Sequence, residues 1–120
     1  MLEVHGFQVV GVAASGSEAV TIFDATWPDL LLLDYRMPGQ DGVAVTIYVK
    51  KRSPNAQIVL FTAYDEMSLS LDATEAGVFA FLVKGCAPSL ILQALEGAWA
   101  QKQRLDAQHV QAAHRSAGTG

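Results

Sequence analysis

The sequence predicts a single α/β domain, a parallel sheet with helices on both faces. Three observations carry this. Strand-like apolar runs alternate with helix-like segments four times, and right-handed crossovers turn that alternation into a parallel, doubly wound sheet. Leu30 to Leu33 are consecutive leucines, the composition of a strand buried on both faces. Asp34 follows them at once, and Pro38, Gly39 and Gly42 force a loop directly after it. A carboxylate is thereby delivered to the carboxyl end of a central strand, where open α/β sheets place their chemistry. There it can act as a metal ligand, a nucleophile or both.

Residues 7–13 read as the first strand. Ser15, Gly16 and Ser17 cap a helix that turns Ala19, Ile22 and Phe23 to one face. Trp27 ends it, because the residue before a proline avoids the helical region. After the leucine strand and its loop, a second helix is expected over 42–52, with Val43, Ile47 and Lys50 at helical spacing and Ser53, Pro54 and Asn55 as its stop. Residues 57–62 form the next strand. A third helix over 66–76 ends at Gly77, a C′ glycine. A strand over 79–83 follows, and Pro88 suits the first turn of a last helix with Ile91, Leu95, Ala98 and Trp99 on one face. Past Leu105 the sequence becomes polar and is expected to fray. The domain is therefore placed at 1–105 and a tail or linker at 106–120.

At 120 residues the chain suffices for one packed core. It is 51% hydrophobic and 17% charged, a balance that excludes disorder. The net charge of −4 argues against direct nucleic-acid binding by this chain. No apolar stretch is long enough for a membrane span, and residues 1–6 lack the basic and apolar regions of a secretory signal. One cysteine, Cys86, cannot form an internal disulfide, so the expected location is the reducing cytoplasm. Cys86 reads as a small half-buried side chain, Trp27 and Trp99 as packing residues, and His5, His109 and His114 show no metal-ligand spacing.

The run Asp34-Tyr35-Arg36-Met37-Pro38-Gly39-Gln40-Asp41-Gly42 resembles the phosphoacceptor loop of bacterial two-component response-regulator receiver domains. Two further landmarks match in order, each at the end of an expected strand: Thr62-Ala63, the family's hydroxyl position, and Lys84-Gly85, the family's lysine. The resemblance covers residues 2–105 and implies a flavodoxin-like, three-layer α/β/α fold. It implies that Asp34 attacks the phosphorus of a phosphohistidine on a sensor histidine kinase, or of a small phosphodonor. Thr62 would then donate a hydrogen bond to the phosphoryl group and Lys84 would pair with it. Phe81 matches the switch aromatic that turns inward when Thr62 moves; as a sequence position it is equally a core phenylalanine. Arg36 and Tyr64 fall at positions that tune phosphoryl lifetime. The product is a changed binding surface, so no enzyme is implied.

Against the family pattern, a first strand, most of a first helix and an acidic pair are missing, and residues 1–7 align with a helix end and the turn into the second strand. The family's Mg²⁺ uses an acid of that pair, the phosphoacceptor and the carbonyl two residues later. Asp34 and the Arg36 carbonyl are the two of these present, and Glu3 is placed at a helix end, where it is no substitute. The leucine strand would then lack a neighbour, supplied by swapping with a second copy in a homodimer, by closure of the sheet, or by a longer gene.

Three other functions compete with the switch. A receiver that no longer takes phosphate would be an interaction or dimerisation module. Residues 90–112 resemble the stretch that joins receivers to a helix-turn-helix output domain, with no recognition helix in this chain. Aspartate-nucleophile phosphatases share the architecture and carry a second aspartate two residues after the nucleophile, where Arg36 stands here.

Overall fold

The computed structural model describes the backbone of residues 2–4, 6–9, 11–63 and 70–119, and side chains over 6–7, 11–63 and 72–108. Tyr64, His5, His109 and His114 lie outside the described side chains. The elements are β1 (Leu2–Val4), β2 (Phe7–Val9), α1 (Gly16–Thr26), β3 (Leu30–Asp34), α2 (Gly42–Arg52), β4 (Gln57–Thr62), α3 (Ser70–Ala76), β5 (Ala80–Val83) and α4 (Pro88–Thr119).

β3, β4 and β5 form a parallel sheet with β4 in the middle. Leu31 stands opposite Ile58 and Leu33 opposite Leu60, so these four side chains share a face. Onto that face pack Ala19 and Phe23 of α1, Val45 and Val49 of α2, and Ala73 of α3, which makes the main core. Val59 points the other way and is covered by α4, where Ala98 is fully buried.

The helix boundaries follow local chemistry. Ser15 caps α1, its Oγ accepting from the Glu18 N–H at 3.1 Å, while Glu18 reaches back to accept from the Ala14 N–H at 2.9 Å. Trp27 closes α1 in the left-handed region, with φ 46°, and its N–H donates to the Phe23 carbonyl at 2.8 Å. α2 starts at Asp41, whose carboxylate accepts from the Ala44 N–H at 2.8 Å. Lys50 bridges the next turn, donating to the carbonyls of Pro54 at 3.1 Å and Ala56 at 2.7 Å, and burial pushes its ammonium pKa down.

Several expectations are corrected. Residues 7–13 do not add a parallel strand: β2 covers Phe7–Val9 and pairs antiparallel with β1, and Glu3 lies in that hairpin rather than at a helix end. Gly6, with φ 84°, supplies the left-handed residue a tight hairpin turn needs, and local pairing wins over a distant sheet edge. The leucine strand is not buried on both faces. Among the described strands β3 pairs with β4 alone, and Leu32, on the α4 side, is 44% exposed because α4 lies mainly over β4. In α2 the core stripe is Gly42, Val45, Thr46 and Val49, while Ile47 faces out. The close approach of Gly42 to β4 sets that stripe at positions i, i+3, i+4 and i+7.

Trp27 packs against Phe23 as expected, with tilted rings 4.8 Å apart at their centroids, though it remains 54% exposed, and Trp99 is also exposed. α3 begins at Ser70, the residues before it lying outside the described set, and it stops at Gly77 as expected. α4 does not fray at Leu105 but continues to Thr119. Lys102 anchors its middle, reaching Asp29 at 3.2 Å and Asp106 at 2.6 Å, and the Asn55 side chain donates to Asp106 at 3.0 Å. Among the described residues no helix is long and apolar enough to cross a membrane.

Candidate functional site

Parallel pairing brings the carboxyl ends of three strands to one edge of the sheet. Asp34 is the last residue of β3, Thr62 the last of β4, and Lys84 follows β5 directly. The backbone ties these ends together. The Tyr35 N–H donates to the Phe61 carbonyl at 2.7 Å, and the Lys84 N–H donates to the Thr62 carbonyl at 2.8 Å. Each strand end is thus held against the next one.

The Lys84 ammonium lies 3.6 Å from Asp34 Oδ1, and both side chains are 52% exposed. An ion pair this open contributes about 0–1 kcal/mol to folding. The pair thus leaves a carboxylate oxygen and an ammonium group facing solvent together. Thr62 is buried on the central strand between them. Phe81 stands opposite Leu60 in the β4–β5 register, is half-buried and packs against the core. Cys86 is half-buried, its N–H bonded to the Val83 carbonyl at 3.1 Å.

The loop after Asp34 closes on itself where the Gly42 N–H donates to the Tyr35 carbonyl at 2.8 Å. A side chain at Gly42 would overlap Leu60 and sit 2.7 Å from the Asp34 carbonyl oxygen, so only glycine lets α2 approach the end of β3 this closely. Arg36 is exposed and, with Tyr35, Met37, Pro38 and Asp41, borders a shallow depression of about 360 Å³. Asp41 is the acid that sequence reasoning passed over. Its placement directly before the helix-starting Gly42 was the available signal, and its carboxylate is spent on the α2 cap. Among the described residues no three His, Cys, Asp or Glu side chains come together as a metal site.

This arrangement suits attack by Asp34 on an electrophile whose negative charge Lys84 can neutralise. The chain matches the response regulator receiver domain model over residues 1–96. It is 38% identical over 97 residues to the transcriptional regulatory protein PdtaR of Mycobacterium tuberculosis, an alignment covering 80% of this chain and 46% of that protein. It is 33% identical over 90 residues to the chemotaxis protein CheY of Thermotoga maritima, covering 75% of each. Its fold superimposes on a two-component response regulator of the LuxR family from Aurantimonas sp. SI85-9A1 with a TM-score of 0.73 and 32% identity, over 79% of this chain and 68% of that one. The fold is the flavodoxin-like receiver fold. A family model matched over most of the length, together with relatives of this identity and coverage, establishes that the chain belongs to the receiver domains of two-component response regulators.

Proposed function

We propose that Asp34 accepts a phosphoryl group from the phosphohistidine of a sensor histidine kinase, and that the modified site switches a protein-interaction surface. An Asp34 carboxylate oxygen attacks the phosphorus, the phosphorus–nitrogen bond of the donor breaks, and the acyl phosphate persists as the signal. Lys84 would pair with a phosphoryl oxygen and the Thr62 hydroxyl would donate to another, drawing β4 toward the group. Phe81, opposite Leu60 and two residues down the β4–β5 register from Thr62, would turn inward with that movement and alter the face made by α3, β5 and α4. The observation that supports this reading is the Lys84 ammonium 3.6 Å from Asp34 Oδ1 at an open strand edge.

Receiver domains generally bind Mg²⁺ at this site, where the cation neutralises charge on phosphoryl oxygens. Asp34 and the Arg36 carbonyl fit part of such a shell, and among the described residues no group of three His, Cys, Asp or Glu side chains completes it. A second reading is an interaction or dimerisation module indifferent to phosphate. In the first reading residues 106–120 lead from the receiver at 1–105 toward a helix-turn-helix output domain of a cytoplasmic regulator, and this chain itself touches no DNA.

Intact-mass measurement after incubation with acetyl phosphate and Mg²⁺ tests the proposal. One added phosphoryl group, absent in Asp34→Asn, is the expected result. An unchanged mass would overturn it in favour of the second reading.

A further inference from the structure

α1 reaches across to the loop that follows Asp34. Gly16, its first residue, is buried, and its N–H donates to the Pro38 carbonyl at 3.2 Å. A Cβ built on Gly16 would overlap the Gln40 carbonyl oxygen and lie 2.6 Å from the Gln40 Cβ. Gly16 has ordinary helical backbone, so helix propensity alone would favour alanine here. The requirement for glycine therefore comes from the loop. The first N–H groups of a helix have no partner within the helix, and this one is spent on fixing the loop. The donor is itself held, because Ser15 and Glu18 lock the helix start. The loop thus has two anchors: Gly42 on Tyr35 behind it, and Gly16 on Pro38 beside it.

We infer that Gly16 is a positioning residue for the phosphoacceptor loop, setting through Pro38 and Gln40 where Arg36 and the Asp34 carboxylate sit. The kinetic part of this rests on the proposed role of Asp34; the loop placement does not. A displacement of about 1 Å at a reacting centre costs on the order of 100-fold in rate.

The test compares Gly16→Ala with the unaltered chain and with Gly97→Ala, a remote helical glycine whose added Cβ would lie 3.1 Å from the Phe79 ring. In Gly16→Ala the amide NMR shifts of residues 34–44 are expected to move, and phosphoryl gain from acetyl phosphate to slow at least ~10-fold. Gly97→Ala should move neither. Wild-type loop shifts and rate in Gly16→Ala, or an equal loss in Gly97→Ala, would overturn the inference. If the unaltered chain takes no phosphoryl group, the reading of Asp34 fails and the loop shifts alone decide. If Gly16→Ala does not fold, hydrogen exchange at the Gly16 amide of the unaltered chain decides: protection supports the anchor, and exchange at an open amide's rate overturns it.

Discussion

Lys84 reaches Asp34 across the ends of two strands that are not neighbours. β3 and β5 flank β4, yet Lys84 Nζ comes within 3.6 Å of Asp34 Oδ1. The span leaves buried Thr62 between them on the central strand. An ion pair this exposed does little for folding, and in the proposed reading its charge serves an incoming phosphoryl group.

Lys84→Met is therefore expected to change the urea midpoint by less than the equivalent of about 1 kcal/mol while slowing phosphoryl gain at Asp34 strongly. Lys84→Arg should restore little of the rate, because a planar guanidinium does not substitute for a compact ammonium at a fixed point. Parallel urea titrations and intact-mass time courses check both. A large stability loss in Lys84→Met would make the lysine structural.

The two faces of β3 should respond differently to substitution. Leu33→Ala, on the buried face, is expected to cost about 2–5 kcal/mol. Leu32→Thr, on the open face, should cost under about 1 kcal/mol, as surface substitutions do. Chemical denaturation of both variants reads the difference, and equal costs would mean Leu32 is covered in solution.

Lys102 gives a pH-dependent prediction. Hydrogen bonding to Asp106, then to Asp29, raises its pKa against the opposing effect of its burial. A lysine whose folded pKa is raised contributes stability fully below its unfolded pKa of about 10.4 and loses it as pH rises through the folded value. Lys50, shifted down by burial, works in the opposite sense, its penalty fading as pH rises from its lowered pKa toward the unfolded value, so the unaltered chain alone is not diagnostic. The difference between wild type and Lys102→Met is. It should be about 1–2 kcal/mol at pH 7 and shrink as pH rises through the raised folded pKa, above the unfolded value of about 10.4. A difference that stays constant into alkali would show that packing, not charge, anchors α4.

Much of this was legible in the sequence, for stated reasons. α2 and β4 fall at 42–52 and 57–62 as expected, because Gly42, Pro54 and Asn55 punctuate the chain sharply. Asp34, Thr62 and Lys84 were each readable as strand-end residues, and the parallel register gathers them at one edge. What the sequence hid depends on neighbours. Four leucines in a row do not reveal which strand is an edge, so the exposure of Leu32 was not visible. The apolar residues of 7–13 do not show that β2 pairs back on β1. Of the α2 residues at helical spacing Val43 packs against the core while Ile47 faces out, because the core stripe is set by the close approach at Gly42. The polar composition after Leu105 concealed a continuing helix whose anchor, Lys102, binds Asp29 at the far end of the sheet.

The most direct test of the central claim is to trap the acyl phosphate after treatment with acetyl phosphate and Mg²⁺. Borohydride reduces an aspartyl phosphate to homoserine, which tandem mass spectrometry places on the chain. The expected result is homoserine at position 34 and nowhere else. Conversion at another carboxylate, or none in a folded chain, would contradict the assignment of Asp34 as the phosphoacceptor.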